Sequence, residues 1–490
     1  MRILYLDIDT LRPDHLGCYG YNRKTSPNID RVASGGVRFD RCYVSDAPCL
    51  PSRGSMFTGQ FGIHNGIVNH GGVASDLRYI GRERAFHTDP QQPMLIPAVK
   101  RLGIHPVTFS SFAERHSAWW FCAGWKEYYN CGKRGQERAE EVGPQAIDWI
   151  GRNAKGDDWL LHVHLWDPHT SYRTPEDFGN PFEDQPLEGW YTEEMRRNQW
   201  GSFGPGNPQE PAGNYGAESG MPRQPDQIDS MAAYKKFVDG YDCGIAYADL
   251  WIGRILSALA DQGVLDDTAI VITSDHGENM GELGVIGDHA VADHITNRVP
   301  MIIKWPGVTQ PSRVDGGLCY QTDIAATMLE LMGGKVPAHW DGRSFAEQLR
   351  QGQPQGRPYV TVANCAWSCQ RSVIWDDYIF IRSYHTGLKN YPPRMLFNLA
   401  SDPHETNDLA ASQPALADHG QALLEQWTTE MMVGSTSDID PLWTVLHEGG
   451  PFHAGARHMQ GYLKRLRATG RSQHADFLEK NPTGIEWAGS

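Results

Sequence analysis

This 490-residue chain predicts an α/β fold: a mainly parallel sheet sandwiched by helices, with a smaller C-terminal α+β domain. Three observations carry the α/β assignment. Apolar strand-like runs alternate with helical patterns through residues 1–356; several of those strands end in polar clusters; and from 357 to 490 the texture changes to short strand runs followed by a helical segment.

The first strand is "ILYLDID". Ser26 and Pro27 then read as N-cap and first helical residue of "PNIDRVAS", which Gly35-Gly36 ends before the strand "VRFDRCYV". "LLHVHL" is a further strand. Between about Thr174 and Ile228 the pattern gives way to Pro, Gly, Asn, Gln and acidic residues, with Trp190, Tyr191, Trp200 and Tyr215 among them. A loop this long is a lid or substrate-binding insert, or a surface insertion without a role. Tyr234, Phe237, Val238, Tyr241, Ile245, Ile252, Ile255, Leu256 and Leu259 keep three-and-four spacing, so this helix buries one face until Gly263 stops it before the strand "AIVITSD". The C-terminal part reads as strands "SVIWDDYIFIRSY" and "MLFNLASD", then a helix from Pro414 to Met431.

Net charge is −15, from 44 Lys+Arg against 59 Asp+Glu, and no basic run stands out, so nucleic acid is not an expected partner. Met1 runs straight into the first strand without a charged leader and apolar segment, and no apolar stretch reads as a membrane span. Nine scattered cysteines suit reduced thiols better than a disulfide framework. The expected location is the cytoplasm.

The chemistry collects at strand ends: Asp7, Asp9 and Thr10 after the first strand, Asp167 and His169 after "LLHVHL", and Asp275 and His276 after "AIVIT". Ligands of open α/β sheets bind outside the carboxyl ends of the strands, so these clusters could share one crevice. Asp9 and Asp275 are hard oxygen donors for Ca²⁺, Mg²⁺ or Mn²⁺, and His276 widens the choice towards Mn²⁺ and Zn²⁺. Taken singly, each also reads as a cap or turn residue. Asp7 lies on the same side of an extended strand as Asp9, a further metal ligand or a buried acid hydrogen-bonded to backbone.

"DAPCLPSRGSMFTG" holds a cysteine without a partner. As a thiol nucleophile Cys49 needs an electropositive setting, which Arg53 supplies one helical turn away if a helix begins near Pro51. As a zinc ligand it lacks a CxxC or HxxxH companion, and as a structural cysteine it lacks an apolar surround. Composition and spacing leave its role open.

"CLPSR" with "GSMFTG" resembles the signature of the sulfatase family. "DTLRPDHLGCYGY", "DPH", "SDHGENMGELG", "RVPMIIKWPG" and "LFNLASDPHETNDLA" resemble further segments of that family in the same order, so the likeness runs over nearly the whole chain. The resemblance implies the alkaline-phosphatase-like fold and a sulfuric ester hydrolase. Its nucleophile is formylglycine, made from Cys49 by a formylglycine-generating enzyme that is a transient partner. Of the two hydroxyls of the aldehyde hydrate, one attacks sulfur and displaces the alcohol; deprotonating the other expels sulfate and restores the aldehyde. Carried over, Cys49 also touches one divalent ion, with Ca²⁺ preferred and Mn²⁺ or Mg²⁺ as alternatives. Arg53 stabilises the nucleophile and sulfate oxygens. Asp9, Asp275 and His276 hold the ion, His169 contacts sulfate or assists the leaving group, and "FAERHSAWW" puts His116 near the nucleophile as proton acceptor.

The chain also departs from the family pattern. Asp9-Thr10 stands where paired aspartates are frequent, so one ligand is missing or is replaced by Asp7 or Thr10. Glu114 and Arg115 stand near the missing lysine of GKWH. "GDHAVADH" keeps His289 as candidate acid but has Asp288 where a sulfate-binding lysine is expected, and Leu50 replaces a small residue. The substrate expectation is a sulfate ester, with a sulfated carbohydrate suggested by the tryptophans of the insert and by Trp119, Trp120 and Trp166. The alternative is a phosphonate monoester or phosphodiester hydrolase of the same superfamily, and a third reading is a non-catalytic relative that binds sulfated glycans.

Overall fold

The computed structural model describes residues 1–78, 94–213, 220–354, 356–435, 437 and 439–485. Its centre is an eight-stranded sheet in the order Arg313–Asp315, Val37–Phe39, Met301–Lys304, Thr268–Thr273, Arg2–Ile8, Trp159–Leu165, His105–Phe109, Glu127–Tyr129. Met301–Lys304 runs antiparallel to both neighbours and the other pairings are parallel, so the sheet is mixed but mainly parallel. Alternation along the first strand separates two cores: Ile3 and Tyr5 face one and Leu4, Leu6 and Ile8 the other. Leu50, Met56 and Phe57 of the helix Cys49–Thr58 belong to the first core, which is the side towards which Asp7 and Asp9 continue the odd-numbered series.

A second sheet runs in the order Arg394–Asn398, Tyr378–His385, Cys369–Trp375, Tyr359–Asn364, all antiparallel, and ends on a short strand Asp46–Ala47 that pairs parallel to Tyr359–Asn364. The segment leading into Cys49 is therefore bonded to the C-terminal sheet.

The helix predicted from Tyr234 to Leu259 spans Met231–Asp261, capped by the Ser230 side chain. By length and composition it could cross a membrane, which the sequence reading did not see; 61% of its apolar window is buried inside this fold. Ser26 precedes the helix Pro27–Ser34 as expected, yet its hydroxyl accepts from Gly17 N–H and donates to Asp30 instead of capping the helix. "VRFDRCYV" divides into Val37–Phe39 and Cys42–Tyr43, the latter pairing with Cys319–Tyr320.

The stretch from 174 to 228 carries the helix Glu193–Trp200; Tyr215 lies outside the described residues. Its Glu210 is buried and accepts from Arg465 Nε at 3.1 Å and Arg471 Nη1 at 3.2 Å, which ties the insert to the helix Ala456–Ala468 and to the start of Ser472–Lys480, elements the sequence reading did not include.

Candidate active site

Cys49 is the first residue of a helix that ends at Gly59 in a left-handed conformation, and every residue of Cys49–Thr58 is buried. Arg53 lies one turn on, on the same face. Its guanidinium is consumed by the strand-end acids: Nε and Nη2 donate to the two oxygens of Asp7 at 2.8 and 3.0 Å, and Nη1 bridges Asp9 at 3.0 Å and Asp275 at 2.5 Å. Nη2 also donates to His164 Nε2 at 2.6 Å. His164 in turn bonds Ser110 Oγ through Nδ1 at 2.9 Å, and its Nε2 also lies 3.3 Å from Asp9.

Donor atoms of Asp9, Cys49, Asp275 and His276 all lie within 4.8 Å of one another, and Cys49, His276 and His289 form a second such group. His276 Nδ1 donates to its neighbour's carbonyl, Gly277 O, at 2.8 Å, which leaves the Nε2 lone pair directed at Cys49 Sγ, 3.1 Å away. Two buried carboxylates with a correctly oriented imidazole form a donor set that fits one divalent cation. Thr10 orients both acids: its hydroxyl donates to Asp9 at 2.7 Å and its N–H to Asp275 at 3.1 Å, from a left-handed backbone with φ 64° that is uncommon for a β-branched residue.

Asp7 takes neither role expected of it. It shares the side of Asp9, but both of its oxygens face Arg53, and it stands outside the converging donors. Burial alone would raise its pKa, yet Arg53 and His164 hold it well below the usual range; Arg53 does the same for Asp9. The Cys49 thiol is pushed well up by burial and by Asp9 and Asp275, against Arg115 and Arg53, so a free thiolate is disfavoured there.

Cys49 opens into a cavity of about 590 Å³ whose lining includes His70, Arg115, His116, Arg134, His169, Ala212, Asp288, His289, Trp367, Phe452 and His453. The sequence candidates His116, His169 and His289 therefore all face it. His169 donates from Nδ1 to Thr170 O, which presents Nε2 as an acceptor, and burial lowers its pKa to about 3. His289 packs against His276 with ring centroids 4.1 Å apart and planes tilted by 43°, and its Nδ1 lies 3.4 Å from buried Glu278. Burial lifts Asp288 to about 7, so the acid found in place of a lysine is neutral for part of the physiological range.

Sequence reasoning missed His70, His453, Arg134 and Trp367. His70 accepts from Leu50 N–H at 3.4 Å and contacts His453 at 2.9 Å, linking the nucleophile's neighbour to the C-terminal segment. None of the tryptophans expected to stack on a sugar lines the cavity: Trp120 and Trp166 are core, Trp119 bonds Asp76, and Trp190 stacks on His404. Trp367, stacked on His453 at 4.5 Å, is the tryptophan that lines it.

Two family models match the chain: Sulfatase over residues 2–334, and N-sulphoglucosamine sulphohydrolase, C-terminal, over residues 281–430. The multifunctional alkaline phosphatase superfamily protein PehA of Trinickia caryophylli is 26% identical over 480 residues, covering 80% of this chain and 86% of that protein. Among solved structures, one in complex with its substrate D-glucosamine-2-N,6-O-disulfate matches with a TM-score of 0.70 at 19% identity, covering 90% of this chain and 99% of that one. The phosphonate monoester hydrolase of Agrobacterium radiobacter matches with a TM-score of 0.69 at 20% identity, covering 88% and 96%.

Proposed function

Because the chain belongs to the sulfatase family, whose model spans most of it, we propose that it is a metal-dependent sulfuric ester hydrolase that releases sulfate from a sulfated carbohydrate through formylglycine at position 49. The observation that carries this reading is the convergence of Asp9, Cys49, Asp275 and His276, with Arg53 one turn from Cys49, at one end of a cavity roomy enough for a sugar. The structure solved with a disulfated glucosamine supports the carbohydrate part.

Formylglycine supplies a hydroxyl nucleophile, and a divalent ion supplies Lewis-acid stabilisation of oxygen charge. The remaining chemistry is carried by this chain's side chains. Asp9, Asp275 and His276 Nε2 form the cation-binding set, and Thr10 fixes the orientation of both carboxylates. Asp7 anchors Arg53 from behind, so its Nη1 is held between the two ligands and its charge offsets theirs beside Cys49. His116 Nε2 is buried without a partner among the described residues, an acceptor for the nucleophile's proton. His289, between Glu278 and Asp288, donates to the departing alcohol; burial, with His276 and His169, holds its own ring well below the usual imidazole range, so the proton it passes on comes from Glu278 or Asp288, both of which burial lifts above the usual carboxylate range.

One observation favours the phosphonate or phosphodiester reading: Asp288, not a lysine, stands at the cavity wall, and its lining cations are Arg115 and Arg134. Parallel kinetics on an aryl sulfate, a sulfated glucosamine, a phosphodiester and a phosphonate monoester separate the two. Sulfate esters are expected to be the best substrates by kcat/KM; a dominant phosphodiesterase activity would overturn the proposal.

A further inference from the structure

We infer that Arg134 is a specificity-determining residue that receives a second anionic substituent, a sulfamate, sulfate or carboxylate, on the same substrate whose ester group sits at Cys49; this rests on the sulfatase reading above. The cavity of about 590 Å³ is far larger than a sulfate group, so it also houses the alcohol half, and its cations differ in what they are free to do. Arg53 is saturated by Asp7, Asp9, Asp275 and His164. Arg115 lies over the Trp166 ring at 5.0 Å and its Nη1 is already used by the Arg134 carbonyl at 3.2 Å, so it is committed to the cavity floor. Arg134 is exposed at the rim, and among the described residues no hydrogen bond or ion pair takes up its guanidinium. Its neighbour Lys133 is paired with Glu141.

The loop that presents Arg134 is built rather than loose. Arg134 adopts φ 52° between Gly132 at 72° and Gly135 at 78°, a left-handed conformation that a long side chain adopts infrequently. Buried and stacked cations hold it there: Arg115 Nη1 donates to the Arg134 carbonyl at 3.2 Å and Arg173 to the Gly135 carbonyl. Gly135 N–H donates to Ser111 Oγ at 2.8 Å and Glu137 at 3.0 Å, and a Cβ on Gly135 would meet Arg115 and Trp166. The backbone is thus locked against the catalytic floor while the guanidinium is left unengaged, a planar fork matched to a carboxylate or sulfamate.

The test compares N-acetylglucosamine 6-O-sulfate, glucosamine 2-N,6-O-disulfate and a 2-O-sulfated uronic acid, by kcat/KM with the enzyme and by calorimetric binding to the Cys49→Ala protein. The variants Arg134→Asn and Arg134→Gly remove the cation while tolerating the left-handed backbone, and Arg134→Lys keeps the charge. The doubly anionic ligands are expected to be preferred over the monosulfate, and Asn and Gly to cut that preference by about tenfold to a hundredfold, with Lys retaining more of it. Which of the two doubly anionic arms loses most identifies the substituent as sulfamate or carboxylate. No preference in the parent protein, or a preference that survives both Asn and Gly, overturns the inference. Binding preference lost with Arg134 in a protein that hydrolyses no sulfate ester would sink the proposed function and leave this inference standing.

Discussion

Replacing Asp7 by Asn separates its two candidate roles. The substitution keeps shape but removes the charge that Arg53 meets from Nε at 2.8 Å and Nη2 at 3.0 Å, and the new amide Nδ2 turns N–H towards N–H. Breaking a buried ion pair from one side costs about 3–5 kcal/mol, and the lower end applies because Asp9 and Asp275 still hold Nη1. With a urea m-value of about 3 kcal/mol/M, the unfolding midpoint drops by about 1 M. The pH sign follows from the depressed carboxyl of Asp7: its stabilisation is complete above its unfolded pKa of about 4 and is lost as pH falls, so the gap between parent and variant closes under acid. The cation requirement, measured by titrating Ca²⁺ into chelated enzyme, should shift by less than about tenfold, the smallest effect typical of losing a group that supports a ligand. A variant as stable as the parent at neutral pH, yet needing tenfold or more cation, would refute the anchor role and make Asp7 a ligand.

Further outcomes follow from neighbouring contacts. Thr10→Ala removes the hydroxyl that orients Asp9 and should weaken cation binding by about 10–100-fold, read in the same Ca²⁺ titration. Asp288 sits at about 7 and gains charge as pH rises, so KM for a sulfate ester should climb through neutral pH; Asp288→Asn should flatten that limb of the profile. Glu210→Gln leaves Arg465 and Arg471 facing a neutral group and should destabilise the insert's attachment by about 3 kcal/mol, seen as faster limited proteolysis between residues 174 and 228.

The parts of this site that could be read in the sequence are those whose position is set by strand periodicity and by a motif. Asp9, Asp275 and His276 end parallel neighbours of one sheet, and the four-residue spacing of Cys49 and Arg53 puts them on one helix face. His164 was also within reach, because it pairs in register with Asp7 across parallel strands. Asp7's partner was not: parity gives the side of the strand, while the choice between cation and guanidinium depends on a helix packed from elsewhere. His70, His453 and Trp367 carry no local pattern, being isolated residues that long-range packing of the C-terminal segment brings to the cavity. Thr10 reads in the sequence as the site of a missing ligand or as its replacement, and only the hydrogen bonds reveal it as the group that aims two others.

The central claim rests on what stands at position 49. Mass spectrometry of the peptide carrying Cys49, from natively produced protein that releases sulfate, should find the aldehyde in place of the thiol. Fully active protein carrying only the unmodified thiol would contradict the account.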